Sequence, residues 1–554
     1  MRPKKSEAMW AATTRILAVR TVDPYWVKKP MITMKSLLKL RRASLSYAAY
    51  GTFMTWPSTT LPILQGEGSP IPLTADEGSW LASINSLTML VGVFGAGYSV
   101  DIIGRKKLVL ASAVPLLAWW LMVAFSDSYG MLLAARAIGS IGGGLISTVM
   151  PMYLCEVADP DIRGVLVAIH LILMQMGTLF IYCIGPYLPI PVVAGICASV
   201  PVIFFIAFIW MPESPYFLLS QHREKDAKRI LLRLKGKLSP EDLDSELTVM
   251  HETIRQKNES KGKLKDLFTV PVHRRTLFIM TGFILLQASS GAIAILTYTT
   301  SIFEASGSNL DPNVSSIILA SVLLFTSVGA SFIIDRFGRR TLAMASLMIC
   351  SACLTAEGAY FYVNEVYGDV NSAFDWLPLA ALMGFQVSFG LGAGPVMSPM
   401  IGEIYHVSVK GAAASINTTV IALYGFFLKK MFQVVSDNVG AYWSFWGFAV
   451  LCVCATAYVY FLLPETKGKT FAQINEELDA RFGKHHPKSM AGTSTYNVEE
   501  RIVAIAWARE RAHTGKTMKM LNGILRHDSI KKLHQSERFC DGNRTLQNRT
   551  HCGL

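Results

Sequence analysis

Two sets of residues in this sequence could do chemistry in an apolar setting. The first interrupts 285–303, LLQASSGAIAILTYTTSIF, where Gln287, Ser289, Ser290, Thr297, Tyr298 and Thr299 carry hydrogen-bonding groups into a lipid-like stretch. Such groups cost free energy away from water unless partnered, so either another helix satisfies them or a polar molecule passing through does. The second is a set of charges that recurs. Asp101, Gly104 and Arg105 (DIIGRK) return as Asp335, Gly338 and Arg339 (DRFGRR). Glu156 with Arg163-Gly164 returns as Glu403 with Lys410-Gly411, and Pro212-Glu213 returns as Pro464-Glu465. Three signatures repeating in order at an offset of about 240 residues mark an internal duplication, as in secondary transporters whose substrate sits between two rocking halves. No nucleophile–base set, phosphate loop or metal-ligand spacing accompanies them. The expectation is therefore a protein that is not an enzyme and uses no metal or cofactor.

The elements that position these residues are membrane helices. Of 554 residues, 51% are hydrophobic and only 16% charged, with a mean hydropathy of +0.37, too apolar for a soluble globule of this size. Apolar runs of about 20 residues each cross a hydrocarbon core of about 30 Å, and backbone satisfaction in lipid makes them helices. Spans are predicted near 44–65, 80–100, 107–126, 131–153, 165–187 and 190–211, then 276–301, 314–334, 341–363, 376–402, 412–434 and 442–463. The fold class is thus an all-α membrane protein, twelve transmembrane helices in two pseudo-symmetric six-helix halves. The halves are 44–211 and 276–463, joined by a cytoplasmic helical linker over 212–275 in which Ile230, Leu231 and Leu234 have helical spacing. A basic arm, 1–43, with no signal-peptide pattern, and a basic tail, 464–554, flank them.

Charge sorts the loops. Those after odd-numbered spans carry acids (Glu67, Asp76, Glu304, Asp311, Glu365, Asp437) and no Lys or Arg, whereas those after even-numbered spans hold the basic residues. The positive-inside rule then places both termini and the linker in the cytoplasm. The net charge of +13 reads as topology and contact with an anionic inner leaflet rather than nucleic-acid binding. The outward loops carry no cysteine, so no disulfide framework is expected, and the acceptor triplets at Asn543 and Asn548 should stay unglycosylated in a cytoplasmic tail. The tail segment 498–533 has two open readings, a basic amphipathic helix on the leaflet or disorder.

The duplicated charges suggest a mechanism. Each signature puts a carboxylate and a cation at the cytoplasmic ends of neighbouring helices, and pairing across the halves would latch that side shut. Arg136, inside or at the outer end of span 4, is expected to face the bundle rather than lipid. Span 1 contains no Asp or Glu, leaving no proton carrier there, and Glu357 in span 9 is expected near the outer surface. Trp119-Trp120 and the Trp443/Trp446 pair read as packing or interfacial groups.

These motifs resemble the sugar-porter family of the major facilitator superfamily over roughly 44–475. The resemblance rests on DIIGRKK (101–107), Arg136 with Gly139 and Gly143, PMYLCEVADPDIRG (151–164), PESPYFLL (212–219), DRFGRR (335–340) and PETKGKTF (464–471). GSWLASI (78–84), KMFQ (430–433) and FWGF (445–448) look most like its facilitated trehalose transporter branch. The resemblance implies alternating access. It also implies cytoplasmic gate roles for Asp101, Arg105, Glu156, Arg163, Glu213, Asp335, Arg339, Glu403, Lys410 and Glu465, with Arg136 added to that gating set, and Lys410 stands where the family has Arg. Its proton-driven members carry an acid in span 1, so the neutral span 1 here implies facilitated diffusion in a multi-pass protein of the plasma membrane.

The sugar site departs from the pattern. Where the family has Gln-Gln-x-Ser-Gly-Ile-Asn, this chain has Gln287-Ala288-Ser289-Ser290-Gly291-Ala292-Ile293. The family's span 8 Asn falls on Leu323, its span 11 Asn-Trp on Ile421-Ala422, its span 10 Trp is lost after Gly394-Pro395, and its span 5 Gln falls on Leu171, with Gln175 one turn on. Gln287, Ser290, Thr297, Tyr298, Gln175 and Asn85 are the residues expected to line a path for a sugar such as trehalose or glucose. Two rivals stand beside this reading: a transport-poor sugar sensor, and a transporter of a less hydroxylated solute.

Overall fold

A computed structural model of the chain describes residues 44–478 apart from 159–162, 236–239, 260–264, 334–335, 369–373, 407–408, 468, 470–472 and 475. The N-terminal arm, the segment 498–533, Cys540, Cys552, Asn543, Asn548 and Asp335 lie outside the described residues. All regular structure among the described residues is helical.

Spans 1 to 6 are Leu45–Gln65, Ala75–Ile103, Arg105–Ala111 continuing as Ala113–Ala124, Tyr129–Val157, Arg163–Ile184 and Ile190–Ile209. Span 7 comes in three pieces, Pro271–Ala288, Ala292–Thr297 and Thr299–Ala305. Spans 8 to 12 follow as Pro312–Ile333, Arg339–Tyr367, Leu377–Leu391 with Ala393–Ile404, Lys410–Asn438 and Ala441–Leu462. The twelve predicted spans are all present, in two sets of six.

Among the described residues, nine of these helices are long and apolar enough to cross a membrane on those grounds alone, span 5 contributes a shorter apolar helix over Ile169–Ile184, and spans 1 and 7 fall short. The reason is where they sit. Span 1 buries Thr52, Thr55, Ser58, Thr59 and Thr60, and span 7 breaks at Gly291, whose φ of +83° favours glycine. A helix that borders protein and cavity instead of lipid can afford polar side chains and an interrupted backbone.

The duplicated motifs explain how each half closes at its basic end. In the first half, Arg105 meets Glu156 of span 4 at 2.9–3.2 Å and Asp101 of span 2 at 3.0 Å. Glu213, just past span 6, accepts the backbone N–H of Lys106 at 3.0 Å, an acid at a helix N-terminus where it complements the dipole. A Cβ on Gly104 would lie 2.6 Å from the Glu213 carboxylate, so the glycine is what lets the acid reach the turn. The second half repeats this construction. Glu465 accepts from the N–H groups of Arg339 (2.9 Å) and Arg340 (3.2 Å), Arg339 meets Glu403 at 3.3 Å, and a Cβ on Gly338 would lie 2.4 Å from Glu465.

Within the first half, helices touch backbone to backbone. A Cβ on Gly51 of span 1 would lie 2.1 Å from the Met174 carbonyl of span 5, and one on Gly177 would lie 2.2 Å from the Ala48 carbonyl. Gly92 of span 2 and Gly144 of span 4 are matched in the same way, at 2.2 Å from Ile141 and 2.3 Å from Met89 carbonyls. Small residues permit such close approach between membrane helices.

The linker folds as Pro215–Ser220, Glu224–Lys235, Pro240–Glu259 and Asp266–Thr269, around a small core of Leu218, Leu219, Ala227, Leu231, Leu247 and Met250. Its Gln221 donates to the Asp101 carbonyl at 3.1 Å, which ties it to the first half. Beyond span 12, Ile474 and Leu478 are buried, and the compact unit ends at Leu478.

Candidate functional site

A cavity of about 320 Å³ lies between the halves. The first half contributes Tyr50, Thr55, Asn85, Gln175, Thr178 and Tyr182 beside Met54, Met89, Leu90 and Met174, and the second contributes Ile293, Leu296, Leu323, Ile421 and Ala422 with Thr297, Thr418 and Lys429. One wall is therefore rich in hydroxyl and amide groups and the other is mainly aliphatic. Every position noted above as a lost family side chain, apart from Ala288, Leu171 and the span 10 tryptophan, lies on that aliphatic wall.

Three of the six expected path residues line the cavity: Asn85, Gln175 and Thr297, the last with its hydroxyl donated to the Ile293 carbonyl at 2.7 Å. The other three sit behind the wall. Gln287 is buried, and its amide donates to the Ala393 carbonyl at 2.7 Å, with the Gly394 carbonyl at 3.5 Å. It braces span 7 against the break in span 10, where backbone carbonyls need partners. Tyr298 is buried against Phe432, ring centroids 5.5 Å apart, with its hydroxyl 3.4 Å from the Lys429 carbonyl. Ser290 is fully buried with its hydroxyl unpartnered. The break at Gly291 turns the segment before it, with Gln287 and Ser290, away from the cavity, Tyr298 beyond the break packs on span 11, and of the stretch Ile293, Leu296 and Thr297 line the cavity.

The cavity also holds two cations. Arg136 is buried among aromatic rings, its guanidinium carbon 4.2 Å from the Phe53 centroid and 5.4 Å from that of Trp119, and its Nη1 donates to the Phe53 carbonyl at 2.5 Å. It faces the bundle, as its position in span 4 implies. Lys429 of span 11 is 2% exposed, and its ammonium donates to Asn85 Oδ1 at 2.5 Å and to the Ala82 carbonyl at 3.2 Å in the opposite half. Sequence reasoning missed Lys429. The signal was present, because Lys429-Lys430 lies inside a predicted span where lysine is costly.

Above the cavity, at the end carrying the acidic loops, the halves close on each other. Lys430 reaches Asp76 at 2.5 Å and Ser79 at 2.6 Å, and lies 4.9 Å from the Trp80 ring. Trp80 packs on Phe426 at 5.6 Å, and Ser58 accepts the Thr300 N–H at 3.3 Å.

The duplicated charges take a different arrangement from the expected latch. Pairing across the halves was expected. In this structure the contacts described above for Asp101, Arg105, Glu156 and Glu213 join spans of the first half, and those of Arg339, Glu403 and Glu465 join spans of the second. Lys410 donates to the Gly402 carbonyl at 3.0 Å, again within its own half. Each signature brackets helix ends that neighbour one another in one six-helix set, so the nearest opposite charge is local. The Arg163 side chain and Asp335 are outside the described residues. Glu357 is fully buried inside span 9, with neither carboxylate oxygen hydrogen-bonded. Trp119 and Trp120 are fully buried packing groups.

Comparison with known proteins agrees with this architecture. A facilitated trehalose transporter of Apis mellifera ligustica is 33% identical over 458 residues, covering 82% of this chain and 89% of the relative. Its counterpart in Bombyx mori is 32% identical, covering 76% of this chain and 82% of the relative. Among solved structures, the xylose transporter XylE of E. coli in a partially occluded inward-open conformation superposes with a TM-score of 0.65 at 21% identity, covering 79% of this chain and all of that one. A XylE structure bound to 6-bromo-6-deoxy-D-glucose gives 0.64 at 20% identity, over 80% and 99% of the two chains. Residues 45–478 match the family of the sugar (and other) transporters, and with two six-helix halves around a shared cavity this chain belongs to that family.

Proposed function

We propose that the chain carries a sugar down its gradient across the plasma membrane by alternating access, with trehalose or glucose as the first solutes to test. The observation that carries the reading is the cavity built from both halves and sealed at one end by contacts between spans 2 and 11. The basic end is taken as cytoplasmic by the positive-inside rule, which puts the linker and both termini inside against an anionic leaflet and makes the sealed end extracellular. In this reading Asn85, Gln175 and Thr297 meet the solute, while Gln287, Ser290 and Tyr298 hold the helix break that shapes the site. The charged clusters at Asp101, Arg105, Glu156, Glu213, Arg339, Glu403, Lys410 and Glu465 tie the helix ends together within each half and set the cytoplasmic gate. Arg136 ties span 4 to span 1 beside the cavity. Span 1 offers no carboxylate for proton coupling, which favours a uniporter.

The aliphatic wall of Ile293, Leu323, Ile421 and Ala422 favours a second reading for cargo, a solute with fewer hydroxyls on one face. Uptake of labelled trehalose, glucose and a deoxysugar series into liposomes carrying the purified protein tests both. Saturable counterflow without a proton gradient is expected. A strict requirement for a proton gradient would refute the uniporter, and flux of none of these solutes would refute sugar transport.

A further inference from the structure

The two cavity cations have no carboxylate beside them. Among the described residues lining the cavity there is no Asp or Glu, while both Arg136 and Lys429 line it. Lys429 contrasts with its neighbour in sequence. Lys430 pairs with Asp76 at the rim, as a structural lysine would, whereas Lys429 is buried with two neutral acceptors and one ammonium proton left over. Arg136 adds a buried Nε without a hydrogen-bond partner. Burying cations without an opposing charge is unfavourable, and an anionic ligand arriving in the cavity would supply that charge. The neighbouring polar groups are also lightly engaged. The Tyr50 hydroxyl and the Asn85 amide donate to the thioether sulfurs of Met89 and Met54, both at 3.7 Å, and thioethers are weak acceptors that a ligand oxygen would displace.

We propose that this cavity recognises a sugar acid, a sugar-sized polyol bearing one carboxylate such as a uronate, with Lys429 as the principal anion contact and Arg136 as the second positive charge. The assignment rests on the transport reading of the cavity and narrows its substrate class. A planar carboxylate can take the spare ammonium proton of Lys429 and the guanidinium N–H groups of Arg136 beyond its Phe53 contact, and its single charge costs less to take out of water than a phosphate's charge of up to two. The amides missing from the aliphatic wall then reflect a different division of recognition, in which a cation from each half replaces part of the amide contacts.

The test uses the full-length protein in liposomes, with glucuronate, glucose and glucose 6-phosphate as probes, and the purified protein for ligand-induced thermal shifts. Saturable glucuronate uptake is expected, responding to an imposed membrane potential because the solute is charged, while glucose uptake does not respond. Lys429→Gln should lower the ratio of glucuronate to glucose uptake about tenfold, the scale of one lost charge contact, and Lys429→Arg should recover much of it. A thermal shift with glucuronate in wild type but not in Lys429→Gln makes the same point without transport. The proposal is overturned if glucose moves but glucuronate neither moves, competes nor stabilises, if Lys429→Gln leaves the ratio unchanged in a folded protein, or if glucose 6-phosphate is preferred. Flux of none of these solutes defeats the transport reading instead; a Lys429-dependent shift with glucuronate would still support recognition, and its absence would refute it.

Discussion

Gln287 separates two ways of reading span 7, as a substrate contact or as a brace, and the structure favours the brace. Replacing it with Leu keeps the side-chain volume close to the original and removes the amide. The Ala393 carbonyl, now 2.7 Å from Nε2, would then lose its side-chain donor at a helix break, away from water. Leaving one buried acceptor without its partner costs about 1–3 kcal/mol, and the weaker Gly394 contact at 3.5 Å adds little. Gln287→Leu should therefore melt several degrees lower in detergent than wild type, while the KM for any transported sugar changes less than threefold. Gln287→Ala should lose more, since it also leaves a cavity, about 2–4 kcal/mol in total. The assay pairs thermal unfolding with counterflow in liposomes. Unchanged melting with a KM raised tenfold or more would show that the amide touches substrate, and the placement of Gln287 behind the wall would be wrong.

Gly177→Ala would set a methyl 2.2 Å from the Ala48 carbonyl, force spans 1 and 5 apart by about 1 Å, and cost about 1–3 kcal/mol; lowered melting with reduced uptake is the expected result, checked by the same two measurements. Glu156→Gln removes the shared charge partner of Arg105, and because Arg105 is buried the loss should be about 1–3 kcal/mol, while the exposed Glu252→Gln in the linker should be near neutral. His273, in the first turn of Pro271–Ala288 and before the apolar run that begins near 276, is held below the ordinary imidazole range by burial and by His406, 5.8 Å away, with Asp266 pulling the other way. A lowered folded-state pKa means stability is present above the unfolded value near 6.5 and is lost as pH falls through it. Melting temperature should drop between about pH 7 and pH 5, and less steeply in His273→Gln.

The scaffold was legible in the sequence because membrane burial, loop charge and duplication are all carried by residue type. Twelve runs, their ends and their pairing into halves follow from hydropathy and from the three repeated signatures. The cavity was only partly legible. Asn85, Gln175 and Thr297 could be placed on it by polarity, but whether Gln287 faces it depends on a backbone break at Gly291 that changes direction within three residues. The destination of the repeated acids was hidden for a related reason. A carboxylate at a helix end finds whichever cation or N–H lies nearest, and that is a matter of packing, which left Glu213 and Glu465 as helix caps instead of cross-half partners. Lys429 was legible and overlooked, since a lysine inside a span always calls for an explanation.

The matched glycines of the first half bear on how the molecule moves. Where helices meet backbone to backbone, sliding or bending one against another opens gaps or clashes at once, so spans 1, 2, 4 and 5 behave as a stator. The second half has its two interrupted helices, spans 7 and 10, beside the same cavity, and interrupted helices flex at low cost. Sequence symmetry thus coexists with mechanical asymmetry. The working stroke would be borne by one half, and a cross-link between spans 1 and 5 should leave turnover intact where one bridging the two pieces of span 10 would arrest it.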